Sequence, residues 1–185
     1  SAGANYTLTY VANNLDITKA SVAIVWNNPA DIIYGTQLDG TQLNATTTPS
    51  IDGTFAYIPA SGTILSVGID QTLSTTFNPT DALNYNVATS SVVITVFPDT
   101  IPPSGVTITT SSHTPMVISP LTTVSVSWSD ATDIGSGVAG YSIIFDTAST
   151  TTPVGTVNTT ATTTSQVLPY GTYYFHVLAV DNVGN

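Results

Sequence analysis

The chain has 185 residues, 42% of them hydrophobic, with eleven Asp, no Glu, no Arg and a single Lys, for a formal charge of −10. That balance excludes nucleic acid as a partner, because no basic patch can be assembled to neutralise phosphates. No apolar run reaches the ~20 residues that a membrane-spanning helix needs, and the length suits about two domains.

Thirty-five residues are Thr, which is β-branched and favours strands, and Asp without Glu suits turns better than helices. Cysteine is absent, so neither a disulfide nor a thiolate site exists. Ser1-Ala2-Gly3-Ala4 does not resemble a signal peptide. No segment sustains a 3.6-residue period. Short alternating runs broken by Gly, Pro, Asn and Asp predict an all-β chain built as two tandem sandwiches.

Taken in order, residues 5–11 and 15–19 predict two strands around Ala12-Asn13-Asn14, with Tyr6, Leu8 and Tyr10 on one face. This terminal hairpin, 1–19, reads as the closing strands of a preceding or partner domain. Residues 20–97 predict a complete domain with strands near 21–26, 36–46, 52–58, 70–77 and 85–97 and a minor piece near 64–67. Residues 98–103, Pro98-Asp99-Thr100-Ile101-Pro102-Pro103, form a linker whose adjacent prolines favour extended geometry. In 104–185, Val124, Val126 and Trp128 alternate inward, as do Tyr141, Ile143 and Phe145, and then Tyr173, Phe175, Val177 and Ala179. Trp128, Tyr141, Phe145, Tyr173 and Phe175 are expected to be buried together. The chain ends where a last strand is expected.

In the middle domain, Trp26-Asn27-Asn28-Pro29, Tyr34-Gly35-Thr36, Gln42-Leu43-Asn44-Ala45, Gly53-Thr54-Phe55-Ala56-Tyr57-Ile58-Pro59, Gly62-Thr63-Ile64-Leu65, Phe77-Asn78-Pro79-Thr80-Asp81 and Asn84-Tyr85 stand out. On these motifs the domain resembles the immunoglobulin-like repeats of large bacterial and archaeal surface proteins. Residues 104–185 resemble a fibronectin type III domain, with Leu168-Pro169-Tyr170-Gly171-Thr172-Tyr173 similar to the turn into a tyrosine corner. These resemblances imply a spacer or structural role at a cell surface. They name no activity, since such repeats occur in adhesins, surface layers and secreted enzymes.

Catalytic chemistry has few candidates. Without Glu, Cys or Arg, metalloprotease helices, thiol nucleophiles and Glu-based glycosidase pairs are excluded, and there is no G-x-S-x-G elbow. His113 and His176 read as separate solvated residues, so no enzyme is expected. One constellation stands out: Asp99, Asp130, Asp133, Asp181, Asn182 and Asn185. In a sandwich of this topology, the loops after the second and sixth strands meet the incoming linker at one pole. Hard oxygen ligands from several loops suit calcium; the alternative is that each residue satisfies backbone groups in its own turn. Asn5, Asn44 and Asn158 head N-x-Ser/Thr sequons and are candidate glycosylation sites.

The functional expectation is a non-catalytic segment of an extracellular prokaryotic filament, surface layer or adhesin stalk. Its partners would be copies of itself or neighbouring repeats. Alternatives are spacer domains of a secreted hydrolase, or a carbohydrate-binding module, which requires Trp26, Trp128 and the tyrosines to form an exposed platform, a requirement that Trp128, alternating with core Val residues, does not meet. An open edge at 173–180, with Leu178 and Val180 facing outward, predicts strand addition by residues 5–19 of another copy. Equally, both ends can continue into neighbours of a longer array.

Overall fold

The computed structural model describes residues 18–185. These residues are all-β, in an arrangement consistent with a β-sandwich class, and contain no helix. The expected hairpin lies outside them apart from its last two residues. Next in the chain, Ala20 forms a parallel bridge to Tyr85, with its N–H donating to the Asn84 carbonyl at 2.7 Å.

In the N-terminal half, β1 (Ala23–Val25) pairs antiparallel with β3 (Thr46–Thr48). A second sheet has the order β2-β6-β5-β4, formed by β2 (Ile32–Ile33), β4 (Gly53–Ile58), β5 (Gly68–Pro79) and β6 (Ala88–Phe97). Period-2 alternation places Leu73, Thr75 and Phe77 of β5 and Val92, Ile94 and Val96 of β6 inside. The one polar member of this set, Thr75, is satisfied by donating its hydroxyl to the Ala56 carbonyl at 3.2 Å.

The expected strand over 36–46 does not form. Asp39 accepts the Thr41 N–H at 2.7 Å, and Gln42 Oε1 accepts the Asp39 N–H, closing a turn in the middle of the run. Only a bridge from Gln37 to Ile64 remains, which also replaces the expected piece at 64–67. Leu38, Leu43 and Leu65 are therefore delivered to the core by loops. The two-residue β2 was too short to be legible as an alternating run.

The C-terminal half has a three-stranded sheet, β10-β8-β7, from β7 (Ile108–Ser111), β8 (Thr123–Trp128) and β10 (Thr163–Val167). Facing it is a pair, β9 (Val138–Asp146) with β11 (Tyr174–Asp181). Trp128 packs edge-on to Tyr141 at 5.6 Å between ring centroids and lies 5.4 Å from Phe175, which in turn lies 4.8 Å from Phe145. Trp128 and Tyr141 are buried as expected, but Phe145 and Phe175 are only half-buried, and half-buried Tyr173 precedes β11 and is not part of this cluster.

Two further expectations fail. Val180 is buried at 3% exposure, because a register shift at Val180/Asp181 breaks the alternation and turns Ala179, Val180 and Asp181 inward in succession. His176 is covered as well, with its Nε2 3.0 Å from the Ala148 carbonyl and 3.3 Å from Asp146 Oδ1. His113 sits within its own loop, between Ser112 Oγ and the Leu121 carbonyl.

Trp128→Ala is expected to destabilise the C-terminal half by ~3–5 kcal/mol. Ile118→Ala, at a fully exposed side chain, should stay within about 0.5 kcal/mol. Urea unfolding of the two variants checks the pair, and similar midpoints would contradict this packing.

Candidate cation site at the junction

β6 ends at Phe97, whose carbonyl accepts the Tyr34 N–H, and the chain then enters the linker. The linker is not a free spacer. Asp99 is 7% exposed, and its carboxylate accepts the Ile101 N–H at 3.1 Å and, across the junction, the Ser136 N–H at 2.6 Å. Ser104 and Thr132 exchange backbone hydrogen bonds a few residues on, pinning the linker's other end.

Two glycines permit this closeness. Gly35, at φ +98°, lies against the backbone of Gly135 and Ser136, and a Cβ there would overlap the Gly135 carbonyl oxygen. Gly135 in turn faces the Asp99 carboxylate so closely that a Cβ would collide with it.

Asp181 closes the same pole. Its Oδ1 accepts three backbone N–H groups, from Val183 (3.0 Å), Gly184 (2.7 Å) and Asn185 (2.8 Å). The Asn185 amide donates to Asp181 Oδ2 at 3.0 Å and to the Asp99 carbonyl at 3.2 Å, tying the final residues to the linker. Asn182 donates to the carbonyls of Ser136 and Gly137. Asp133 accepts the Gly137 N–H at 2.6 Å through Oδ2.

Among the described residues, one carboxylate oxygen each from Asp99, Asp133 and Asp181 lie within 4.8 Å of one another. Two oxygens bound to one calcium at 2.3–2.6 Å are at most about 5 Å apart, so the spacing fits that ion. Ser136 Oγ, buried at this pole with no hydrogen-bond partner, is a further oxygen there. Among the described residues no protein cation is at hand. The single Lys, Lys19, donates to the Ala82 carbonyl in the other half.

The six residues expected at this pole therefore divide. Asp99, Asp133 and Asp181 converge, Asn182 and Asn185 brace the loops through their amides, and Asp130 is exposed and outside the group. Ala131 packs on the core and gives its N–H to the Tyr141 hydroxyl, which leaves the preceding Asp130 facing solvent. The turn-capping role is also real, since each of the three carboxylates accepts backbone N–H groups. Sequence reasoning missed Gly35, Gly135 and Ser136, although Gly135-Ser136-Gly137 directly after Asp133 marks a loop of close backbone approach.

Hydrogen bonding sets the electrostatics. The Ser136 N–H first, and then that of Ile101, hold Asp99 below its ordinary pKa. Burial pushes Asp181 up, but the N–H and amide of Asn185 and the N–H groups of Val183 and Gly184 outweigh it, leaving a lowered pKa.

Of the candidate glycosylation sites, Asn5 lies outside the described residues. Asn44 is exposed, with its amide donating to the Thr41 carbonyl. The Asn158 amide is engaged on both sides with the Ile143 backbone, extending the β9 edge. Neither tryptophan is laid flat on the surface, since half-buried Trp26 donates to the Gln42 carbonyl and packs edge-on to Tyr57, and Trp128 is in the core. No family model matches the chain, and no curated protein matches it in sequence.

A carboxylate with a depressed folded pKa contributes stability above its unfolded value, about 3.9, that is lost as pH falls through the folded value. The melting midpoint should therefore drop as pH is lowered below about 4, and the drop should be smaller in Asp99→Asn. Melting curves across acid pH check this; an identical acid dependence in the variant would remove Asp99 from the account.

Proposed function

We propose that the chain is a non-catalytic structural segment of an extracellular prokaryotic surface assembly, such as a filament, surface layer or adhesin stalk. Its two halves act as tandem immunoglobulin-like sandwiches, the second similar to a fibronectin type III domain. The observation that supports this most is the packed junction. The buried Asp99 carboxylate, the Gly35–Gly135 contact and the Asn185 amide join the two halves through the linker. Such a junction transmits force and fixes orientation, which a spacer needs and a lone binding module does not. The charge-poor surface of Thr, Ser and Asn fits association with like neighbours.

In this reading the residue set around Asp99, Asp133, Asp181 and Ser136 Oγ holds a calcium ion. The ion supplies the positive charge that the chain lacks. The protein's own groups do the rest: backbone N–H groups orient the carboxylates, and the glycines bring the two halves close enough for Asp99 to join them.

Three measurements test the reading. Removing calcium with a chelator should lower the melting midpoint by at least about 5 °C, the scale expected when a ligand at a hundredfold its Kd is lost. Asp133→Asn should abolish that difference; an equal midpoint with and without chelator would discard the ion. Gly35→Ala should cost at least about 1 kcal/mol and speed proteolysis at 98–103, whereas unchanged cleavage would mean that the junction is not what holds the halves. Antibody raised against the chain should label intact cells of its source, and labelling only after lysis would overturn the extracellular assignment.

A further inference from the structure

The interior of the C-terminal half is incompletely covered. The N-terminal half has a core cluster of eight buried residues, whereas the core cluster here has four, Val126, Trp128, Tyr141 and Ala179, and Val124, Phe145, Phe175 and Val177 packed against them remain half-exposed. The uncovered side is a groove of about 650 Å³ between β7 with the 113–122 loop and the 168–175 segment leading into β11, floored by Val124, Val126, Phe145 and Phe175. On the groove's lip Met116 and Ile118 are fully exposed. Among the described residues β11 pairs only with β9, so its other edge carries unpaired backbone groups beside this opening. An extended strand suits such a place. Its backbone pairs with the edge while alternate side chains fill the groove.

We propose that this groove receives residues 5–15 of a second copy of the chain, a step that rests on the structural role proposed above. Those residues lie outside the described part, and their sequence, Asn5-Tyr6-Thr7-Leu8-Thr9-Tyr10, alternates apolar with polar as a strand with one buried face requires. Charge agrees as well. In a chain of formal charge −10, residues 5–15 contain no ionisable group but the tyrosines, and no Asp lines the groove. Mutual repulsion between copies is therefore least where the two would meet.

Topology makes the contact intermolecular and open-ended. Ala20 is tethered at Tyr85, before the start of β6, whereas the junction lies past that strand's other end at Phe97. The groove lies at the Thr123 end of β8, with the junction beyond Trp128. The donor's point of attachment at Ala20 and the acceptor groove thus sit at the ends of the two halves that face away from the junction. A contact between different surfaces that repeats without closing gives a filament.

The test uses the full 185-residue chain, whose lack of cysteine allows a disulfide trap. Sedimentation should show mass growing with concentration. Leu8→Asp and, on the exposed lip, Ile118→Asp should each weaken association at least about a hundredfold by placing a charge in the groove, with melting midpoints unchanged at dilutions where the chain is monomeric. Mixing Leu8→Cys with Thr172→Cys should give the mixed disulfide in preference to either homodimer. An intact chain that stays monomeric at every concentration overturns the proposal and leaves the groove to chain beyond Asn185 or to a small apolar ligand. Assemblies that persist unchanged in Leu8→Asp overturn it too, since another surface then joins the copies. A monomer whose midpoint still responds to chelator would sink only the strand contact, not the structural reading of the junction.

Discussion

The buried carboxylate of Asp99 is the constraint around which the molecule is arranged. In a chain with no Arg and one distant Lys, burial of this group is tolerable only if other donors meet its lone pairs. Backbone N–H groups do so, and one of them, Ser136, belongs to the loop that opens the C-terminal half's second face. That single bond has consequences on both sides. It draws the 135–137 backbone onto the linker, which requires glycine at 135, and brings Gly35 within contact of the same loop, which requires glycine there. The relative placement of the halves is therefore encoded in local backbone chemistry.

The two halves solve the problem of covering a core differently. In the first, loops contribute Leu38, Leu43 and Leu65 to a sheet whose central strands β5 and β6 are each paired on both sides, and the interior is closed. In the second, only two strands face three, and the aromatic cluster reaches the surface through Phe145 and Phe175. Soluble proteins usually guard an open edge with lysine, proline or an inward charge. β11 carries none of these along Tyr174–Val180; its only charged residue, Asp181, is committed to the junction. An unguarded edge beside an uncovered core is what strand addition uses.

How much of this was legible in the sequence follows from what each signal measures. Alternation in Leu73–Phe77, Val92–Val96 and Val124–Trp128 reports one-sided burial directly, and those segments are strands; Tyr141–Phe145 is a strand too, with Ser142 on its other face buried as well. Alternation failed at 36–46, where spaced leucines imitate a strand while Asp39 and Gln42 close a turn, and at Val180, where a bulge shifts the period. The convergence of Asp99, Asp133 and Asp181 was legible because topology alone brings those loops to one pole. Asp130 was not separable from Asp133, because which of two nearby carboxylates turns inward depends on the packing of Ala131 between them. Gly35 was beyond reach, since its partner lies a hundred residues away and no periodicity records a backbone-to-backbone contact.

β11 links the two features that matter most. Its first residues, Tyr174 and Phe175, border the groove, and its last, Asp181, organises the final turn and faces Asp99 across the junction. Tension applied through a strand paired along the edge of β11 would pass along this one element into Asp181. From there it would run through the Asn185 amide and the Asp99 carbonyl to the linker and β6. Both ends of that path are polar or unpaired in a single copy, and both are of the kind that a bound partner completes. Neutralising three carboxylates at one end and adding a strand at the other each favour the same ordered β11. The two events are therefore expected to support one another through differential stabilisation of that strand, with the reciprocity that linkage demands.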